Sequence, residues 1–528
     1  MKSLMKKVFA AAAAIATVFG LAATTVATAN AADNATLTVS TTDAKFAGKT
    51  VNAYKMFSAT VSGDGKAVSY TLTDEWKPFF KNSVGLTGVT DENVNDKAND
   101  YVSKLKDSTL VAFATKASNW AQTKANNITA DATATVSADA SNGKYTATFT
   151  GLDYGYYVVA VPGATLANAK SQYATLVSVH STKVDADIKG DLPTVDKKVQ
   201  VDGTGKDATD AKIGDTLTFT LTSTIPDMSA YDTYTFNFKD TLSKGLTFGQ
   251  VKSVKVENVT LTENTDYTVT TPTASNNNTL TVAMKDFKTK QQANAGKKIT
   301  VTYTATLNEN AVVGGAGNVN SAKIQYSNNP STNGTGESEP SKVRVFTYGF
   351  TVDKYTGDQY TDAATRLAGA EFTLAHKDGS AISFVQVSAG SATANAVYRV
   401  AKAGETGTTT ITTPANGKVV FEGLKNGEYT LTETKAPAGY NKLASAIGVK
   451  VNGQNNGTDT TNATVTITYN NDNGNDYNQT ASNGVIPVQN KSGAILPGTG
   501  GMGTIAFTVI GVLVIALGVA WTLKRKNA

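Results

Sequence analysis

Residues 298–306 read KITVTYTAT, with an apolar side chain at every second position. The same alternation occurs at 216–221 (TLTFTL) and at 463–469 (ATVTITY), and clusters of Gly, Asn and Asp separate such runs. Side chains of a β-strand point alternately to its two faces, so this pattern is typical of half-buried strands. The sequence therefore predicts an all-β protein of tandem Ig-like β-sandwich domains, and 91–125 is the best candidate for helix.

The two ends of the chain each join an apolar run to basic residues. Residues 1–31 have three lysines among their first seven residues, continue through an Ala-rich apolar run and finish in small residues, as secretory signal peptides do. Residues 504–523 are apolar over a length that suits a bilayer, and three basic residues follow them. We expect the signal peptide to be removed after Ala31 and residues 504–523 to form a transmembrane segment of the precursor.

The formal charge of +5 belongs to those two ends, which contain six basic and no acidic residues. Without these six charges the remaining chain falls from +5 to −1, so net charge gives no case for nucleic-acid binding. The chain has no cysteine, and its histidines are His180 and His376. Disulfides therefore cannot stabilise it, and the sequence argues against zinc sites of the usual ligand types. We expect neither a metal nor a cofactor.

Alternation places a lysine, an acid and an asparagine on the apolar strand faces of each later block of the chain. These inward residues are Lys197, Asp240 and Asn320 in one block and Lys354, Glu433 and Asn490 in the next. Burial lowers the pKa of a lone ammonium group, and a neutral lysine amine is a nucleophile. A buried, protonated acid would polarise the asparagine carboxamide, so that the amine attacks it, ammonia leaves and an isopeptide bond remains. A buried ion pair beside a hydrogen-bonded asparagine explains the pattern equally well.

Several motifs resemble those of Gram-positive surface proteins. Residues 496–500 (LPGTG), followed by the apolar run and the basic tail, resemble the cell-wall sorting signal. Residues 368–374 (AGAEFTL) and 429–440 (YTLTETKAPAGY) resemble the CnaB-type domain of pilins and adhesins. Residues 240–248 (DTLSKGLTF), with 193–199 (PTVDKKV), are similar to the isopeptide-forming middle domain of backbone fimbrial subunits. The chain thus resembles an LPXTG-anchored major pilin with CnaB-type domains.

Linkers at 190–193 and 328–341 complete the predicted domain organisation. The predicted segments are a signal peptide (1–31), an N-terminal pilin domain (32–190), a middle isopeptide-forming domain (191–345), a CnaB-type β-sandwich domain (346–492) and a sorting signal (493–528).

The resemblance assigns roles to the inward residues. It implies a Lys197–Asn320 bond promoted by Asp240 and a Lys354–Asn490 bond promoted by Glu433. The first domain has Val161 where the promoting acid would stand, so we expect no such bond there. The resemblance also implies that a sortase recognises Leu496, Pro497, Gly498, Thr499 and Gly500, and that it cleaves the chain between Thr499 and Gly500.

A pilin shaft also needs an exposed lysine that accepts Thr499 of another subunit. In 183–189 (KVDADIK), Lys183 and Lys189 lie on the polar face. In backbone pilins the linking lysine ends the last strand of the first domain, which implies Lys189, with Lys183 as the alternative. The usual Tyr-Pro-Lys-Asn context is absent.

The function implied by the resemblance is that of a shaft subunit of a covalent, wall-anchored surface fimbria that supports adhesion. Its partners would be a class C and a housekeeping sortase, identical pilin subunits, a minor or tip pilin, peptidoglycan and, where adhesion requires it, a host or matrix ligand. The protein would be no enzyme, because self-crosslinking happens once per site. The alternatives are a monomeric wall-anchored adhesin or minor pilin, and an anchored hydrolase, for which no motif organises the acids.

Overall fold

The computed structural model describes residues 34–139, 143–164, 174–330, 333–361, 364–454, 463–471, 476–493 and 502–526. The chain divides into two compact units, which we call unit 1 (Met1–Thr347 with Gly453–Thr464) and unit 2 (Tyr348–Asn452 with Val465–Ala528). The predicted signal peptide at 1–31 and the LPGTG motif at 496–500 lie outside the described residues. The division of unit 1 near residue 190 stays a prediction.

The first half of unit 1 is built on two sheets. Strands β1 to β9 span Ala35–Thr41, Thr50–Val61, Val68–Leu72, Ala132–Thr135, Ser137–Asp139, Lys144–Leu152, Gly155–Ala160, Ala174–Val179 and Lys183–Asp187. Their orders are β5-β6-β1-β9 and β3-β2-β7-β8, with β4 paired to β2. In β1, Ala35, Leu37 and Val39 are fully buried while the residues between them are partly exposed, as alternation predicts.

Helices α1 (Lys77–Asn82), α2 (Val94–Ser103) and α3 (Asp107–Gln122) also belong to this half. The last two lie in the predicted stretch 91–125, which confirms helix there and shows that it breaks near residue 105. Buried residues at every fourth position of α2 form one apolar stripe, and α3 packs on β7 and β8. The strand-rich fold is confirmed, and this half adds a helical layer over one of its sheets.

The second half of unit 1 is a β-sandwich. Strands β10 to β22 span Asp196–Val201, Thr204–Lys206, Ala208–Asp210, Thr216–Thr224, Phe236–Leu242, Leu246–Val256, Val259–Thr260, Tyr267–Thr270, Thr279–Met284, Lys298–Leu307, Asn318–Ser327, Thr335–Glu337 and Ser341–Phe346, and helix α4 spans Phe287–Gln291. One sheet, here the first sheet, has the order β11-β10-β13-β19-β15-β16. The second sheet has the order β12-β22-β20-β14-β18-β17, with β21 on β20. Apolar residues of both sheets fill the space between them.

The later part of the chain forms a third pair of sheets. Strands β23 to β34 span Tyr348–Thr356, Thr365–Arg366, Glu371–His376, Phe384–Ser388, Ala396–Val400, Ile411–Thr412, Lys418–Leu424, Gly427–Lys435, Ile447–Gln454, Thr464–Asn470, Gln479–Thr480 and Val485–Gln489. The orders are β24-β23-β29-β27-β26, with β34 on β23, and β28-β25-β30-β31-β32-β33. The first strand and the last therefore pair, in parallel, with Lys354 beside Val488.

A carboxyl-terminal helix, α5 (Met502–Lys526), covers the predicted transmembrane segment 504–523. Within the ranges that the structure describes, none of the helices has the length and apolar character needed to cross a membrane.

Candidate functional site

A cluster of polar side chains, here the middle cluster, lies inside the sandwich of unit 1. Lys197 on β10 and Tyr303 on β19 come from the first sheet, and Asp240 on β14 and Asn320 on β20 come from the second. All four residues are fully buried. Strand alternation turns each of them toward the core, and the packing of the two sheets brings them together.

The hydroxyl of Tyr303 is the centre of this cluster. Lys197 Nζ donates to it over 2.9 Å and Asn320 Nδ2 over 2.5 Å. The same hydroxyl donates to Asp240 Oδ2 over 2.6 Å, and Lys197 Nζ also contacts that carboxyl oxygen. The nucleophile, the acid and the carboxamide expected from the sequence are therefore in one hydrogen-bonded network.

Aromatic rings surround the lysine of the middle cluster. Lys197 Nζ lies 5.1 Å from the ring centroids of both Phe219 and Tyr303, and these two rings stack with centroids 5.3 Å apart. Burial in this apolar setting lowers the pKa of Lys197 to about 8, although Asp240 acts in the opposite direction. A lysine with this pKa is partly in its neutral, nucleophilic amine form near neutral pH.

The corresponding cluster of unit 2, here the third-domain cluster, joins Lys354 on β23, Glu433 on β30 and Asn490, which follows β34. All three residues are buried. Lys354 Nζ lies 3.1 Å from Glu433 Oε1, and Asn490 Nδ2 donates to Glu433 Oε2 over 3.0 Å. Burial lowers the pKa of Lys354 to about 8, against the raising effect of Glu433.

Backbone groups complete the third-domain cluster where the middle cluster has a tyrosine. The N–H of Leu443 donates to Glu433 Oε2 over 2.8 Å, and Asn490 Nδ2 donates to the carbonyl of Asn441 over 2.9 Å. Lys354 Nζ donates to the carbonyl of Val488 over 3.3 Å. The acid thus touches both the lysine and the carboxamide directly.

Both clusters share one unusual feature. In the middle cluster, Asp240 Oδ1 and Asn320 Oδ1 are buried without a hydrogen-bond partner. In the third-domain cluster, Asn490 Oδ1 is likewise buried without a hydrogen-bond partner, whereas Glu433 Oε1 forms the ion pair with Lys354. Each cluster therefore contains a buried carboxamide oxygen that lacks a donor, and such a group is costly to bury.

Tyr303 and the backbone groups were not among the residues expected from the sequence. Alternation in 298–306 does turn Tyr303 inward, and a buried tyrosine hydroxyl normally has a partner, so a signal was present. The contributions of Asn441 and Leu443 leave no mark in the sequence, because any residue carries the same backbone groups.

The two candidate linking lysines lie at the ends of an edge strand. Lys183 is exposed at the start of β9, which pairs only with β1 in its sheet among the described strands. Lys189 lies two residues beyond the end of β9, and its side chain is 36% exposed. It donates to Asp187 Oδ2 over 3.1 Å. Geometry leaves both lysines as candidates.

The histidines lie apart from both clusters. His180 Nδ1 is 2.9 Å from Ser178 Oγ, and the His376 ring contacts Tyr429 with centroids 5.4 Å apart. The described part of the chain contains no group of three or more His, Cys, Asp or Glu residues that could hold a metal ion.

Two family models match this chain. The model described as Gram-positive pilin backbone subunit 2, Cna-B-like domain, matches residues 213–330, which include Asp240, Tyr303 and Asn320. The model described as SpaA, prealbumin-like fold domain, matches residues 358–466, which include Glu433.

A curated relative is the Trypsin-resistant surface T6 protein of Streptococcus pyogenes serotype M6. It is 26% identical over 279 residues, which are 48% of this chain and 44% of the relative. The chain thus matches less than half the length of that relative.

Solved structures of major pilins are also similar. The T6 backbone pilin of serotype M6 Streptococcus pyogenes is 20% identical with a TM-score of 0.45, over 80% of this chain and 83% of that one. The full-length major pilin SpaD from Corynebacterium diphtheriae is 20% identical with a TM-score of 0.39, over 88% and 98%. The two family matches confirm the resemblance found in the sequence: residues 213–330 match the Gram-positive pilin backbone model and residues 358–466 match the SpaA prealbumin-like model.

Proposed function

We propose that this protein is the structural shaft subunit of a covalently polymerised pilus on a Gram-positive cell surface. The observation that supports this most strongly is the pair of buried Lys–acid–Asn clusters, each of which has its acid inside a residue range that matches a family model. Each lysine belongs to the first strand of its sandwich, and each asparagine belongs to the last part of it. Internal bonds at these places would make each domain a closed covalent loop.

The unpartnered carboxamide oxygens of both clusters support the chemistry of bond formation. A proton on the buried acid would supply the donor that the carboxamide oxygen lacks. Moving that proton from lysine to acid leaves a neutral amine beside a polarised carboxamide. The lysine and the acid thus need to exchange only one proton to reach the reactive state.

The reaction then balances without any added reagent. Lysine Nζ forms a bond to asparagine Cγ, while the acid protonates Oδ1 and accepts the proton that Nζ loses. A proton passes to Nδ2, the Cγ–Nδ2 bond breaks, and ammonia leaves as the Oδ1 proton returns to the acid. One amide replaces another and the acid is regenerated, so each site reacts once and the protein acts as no enzyme.

We further propose that Thr499 is the acyl donor of polymerisation and that Lys189, or Lys183, is the acceptor. A class C sortase would cut after Thr499 and hold it as a thioester, which the lysine amine of the next identical subunit displaces. A housekeeping sortase would transfer the finished fibre to peptidoglycan, with a minor or tip pilin at the far end. The precursor would pass through the membrane on its way to the wall.

Intact-mass measurement tests the internal bonds in the full chain. We expect each molecule to lack two ammonias and not three. Asp240→Ala and Glu433→Ala should each restore one ammonia, and Glu422→Ala, which removes a half-buried acid of β29, should restore none. A wild-type chain with its full calculated mass would refute the internal bonds.

Gel electrophoresis of wall extracts tests polymerisation. We expect a ladder of SDS-resistant multimers that is lost on Lys189→Ala or, failing that, on Lys183→Ala. Lys66→Ala removes an exposed lysine of the first half of unit 1 and should leave the ladder intact. A wall-bound species that stays monomeric in the wild type would instead favour a monomeric adhesin.

A further inference from the structure

Tyr303 is the group of the middle cluster that touches both reacting nitrogens. Its hydroxyl lies 2.9 Å from the attacking Nζ of Lys197 and 2.5 Å from Nδ2 of Asn320, the nitrogen that must leave. Its own proton points at Asp240 Oδ2, 2.6 Å away. Nδ2 of Asn320 therefore reaches the acid through this hydroxyl.

The third-domain cluster shows why such a link matters. There the acid is a glutamate, and Glu433 Oε2 accepts directly from Asn490 Nδ2 over 3.0 Å. Aspartate is shorter than glutamate by one methylene group. In the middle cluster, the Tyr303 hydroxyl stands between the shorter acid and the leaving nitrogen and makes up the missing length.

Packing holds the Tyr303 ring in place for this contact. The ring is fully buried and stacks on Phe219 with an angle of 18° between the ring planes. Phe248 packs near it with a centroid distance of 6.1 Å. Fixed rings of this kind give the hydroxyl one orientation, which suits a group that must transfer a proton along a defined line.

We propose that Tyr303 is a catalytic residue of the middle cluster, where its hydroxyl transfers a proton from Asp240 to the leaving nitrogen of Asn320. The inference rests on the isopeptide reaction proposed above and adds a residue to it. Burial, and next the charge of Asp240, raise the pKa of Tyr303 well above its usual value. The hydroxyl therefore keeps its proton until the strongly basic leaving nitrogen takes it.

The proton transfers balance within the cluster. Attack by Lys197 Nζ sends one of its protons to Asp240 Oδ2, while the proton of Asp240 Oδ1 moves to Asn320 Oδ1. Tyr303 then gives its proton to Asn320 Nδ2 and takes the one on Asp240 Oδ2. The Cγ–Nδ2 bond breaks, ammonia leaves, and the Oδ1 proton returns to Asp240, so that both catalytic groups end as they began.

The test follows bond formation in the full chain after pulse labelling in cells. Digestion at successive times gives the cross-linked Lys197–Asn320 peptide, and the Lys354–Asn490 peptide serves as an internal reference. Tyr303→Phe should slow formation of the first by about 10²-fold or more, the usual contribution of a general acid, and leave the second unchanged. An unchanged first rate, with Asp240→Ala still abolishing that bond, would overturn the role of Tyr303 alone. A bond that persists in Asp240→Ala would instead overturn the proposed reaction.

A second variant covers the case in which Tyr303→Phe misfolds. A ring-fluorinated tyrosine placed only at position 303 keeps the hydroxyl and its hydrogen bonds but lowers its pKa. We expect the Lys197–Asn320 bond to form faster than in the wild type, because a stronger acid donates more readily to the leaving nitrogen. A purely structural hydroxyl would leave the rate unchanged, and that result would overturn the proposal.

Discussion

Asn490→Ala should show how much the proposed covalent bond of unit 2 contributes to stability. The change removes the electrophile and leaves the buried contact of Lys354 with Glu433 in place. The bond would close a loop of roughly 135 residues, and the chain-entropy relation for cross-links gives about 5 kcal/mol for a loop of that size. We therefore expect Asn490→Ala to lower the free energy of unfolding of unit 2 by about 5 kcal/mol.

Hydrogen–deuterium exchange under increasing urea measures this loss within the full chain. Peptides from β29 and β30 report directly on the sheets of unit 2. Tryptophan fluorescence does not, since Trp76 and Trp120 belong to unit 1 and Trp521 lies in the carboxyl-terminal helix α5. A loss of this size corresponds to about 10–20 °C in melting temperature for a unit of this length.

A double-variant comparison separates the bond from local packing. Lys354→Met removes the nucleophile, so it prevents the same bond from the opposite side of the reaction to Asn490→Ala. If the bond carries the effect, the double variant should lose little more than either single variant, with a coupling of about 5 kcal/mol. Neighbouring non-covalent groups couple by only about 0.5–3 kcal/mol. Losses that simply add, or a coupling within that ordinary range, would refute the reasoning.

Further predictions concern pH and the backbone. In Asn320→Ala the lysine stays unreacted, so stability should rise as pH increases from about 8 toward 10.5, because the unfolded Lys197 binds a proton in this window and the folded one does not. Urea titrations at several pH values, with Lys197→Met/Asn320→Ala as the control that lacks this rise, measure the effect. Gly317→Ala should destabilise unit 1 by about 1–3 kcal/mol, since φ is +62° and the added Cβ would lie 2.6 Å from Phe346. Gly296→Ala, at φ +85° in open space, should cost less in the same unfolding assay, and equal losses would contradict the steric argument.

The alternation of apolar and polar residues was enough to predict that the charged residues of both clusters face inward. It fails where a side chain from another strand covers a polar face. Asp353 precedes Lys354 and therefore lies on the opposite face of β23, yet it is fully buried. Arg366 Nε lies 2.7 Å from its carboxylate, and Tyr360 donates to it over 2.8 Å. Arg366 and Tyr360 lie outside β23, so alternation within that strand does not predict that they cover the Asp353 carboxylate.

The geometry of the hydrogen-bond network around Tyr303 could not be predicted from the sequence either. The distances around Tyr303 depend on the register of strands that are far apart in the chain, and a sequence pattern fixes only which face each side chain takes. Helix α1 was missed because its six residues are too short to show a period, and its Pro78 is typical of a first helical turn.

The placement of the two clusters has a mechanical consequence for a fibre joined as proposed. A pull between Lys189 and Thr499 would run along the chain to Lys197, cross to Asn320, continue to Lys354, cross to Asn490 and leave through the tail. The strands between each bonded pair, and the residues before Lys189, would lie outside this line of tension. The sheets would then hold the shape of the subunit while a short covalent tether resists its extension, and the first half of unit 1 could vary in sequence without weakening the fibre.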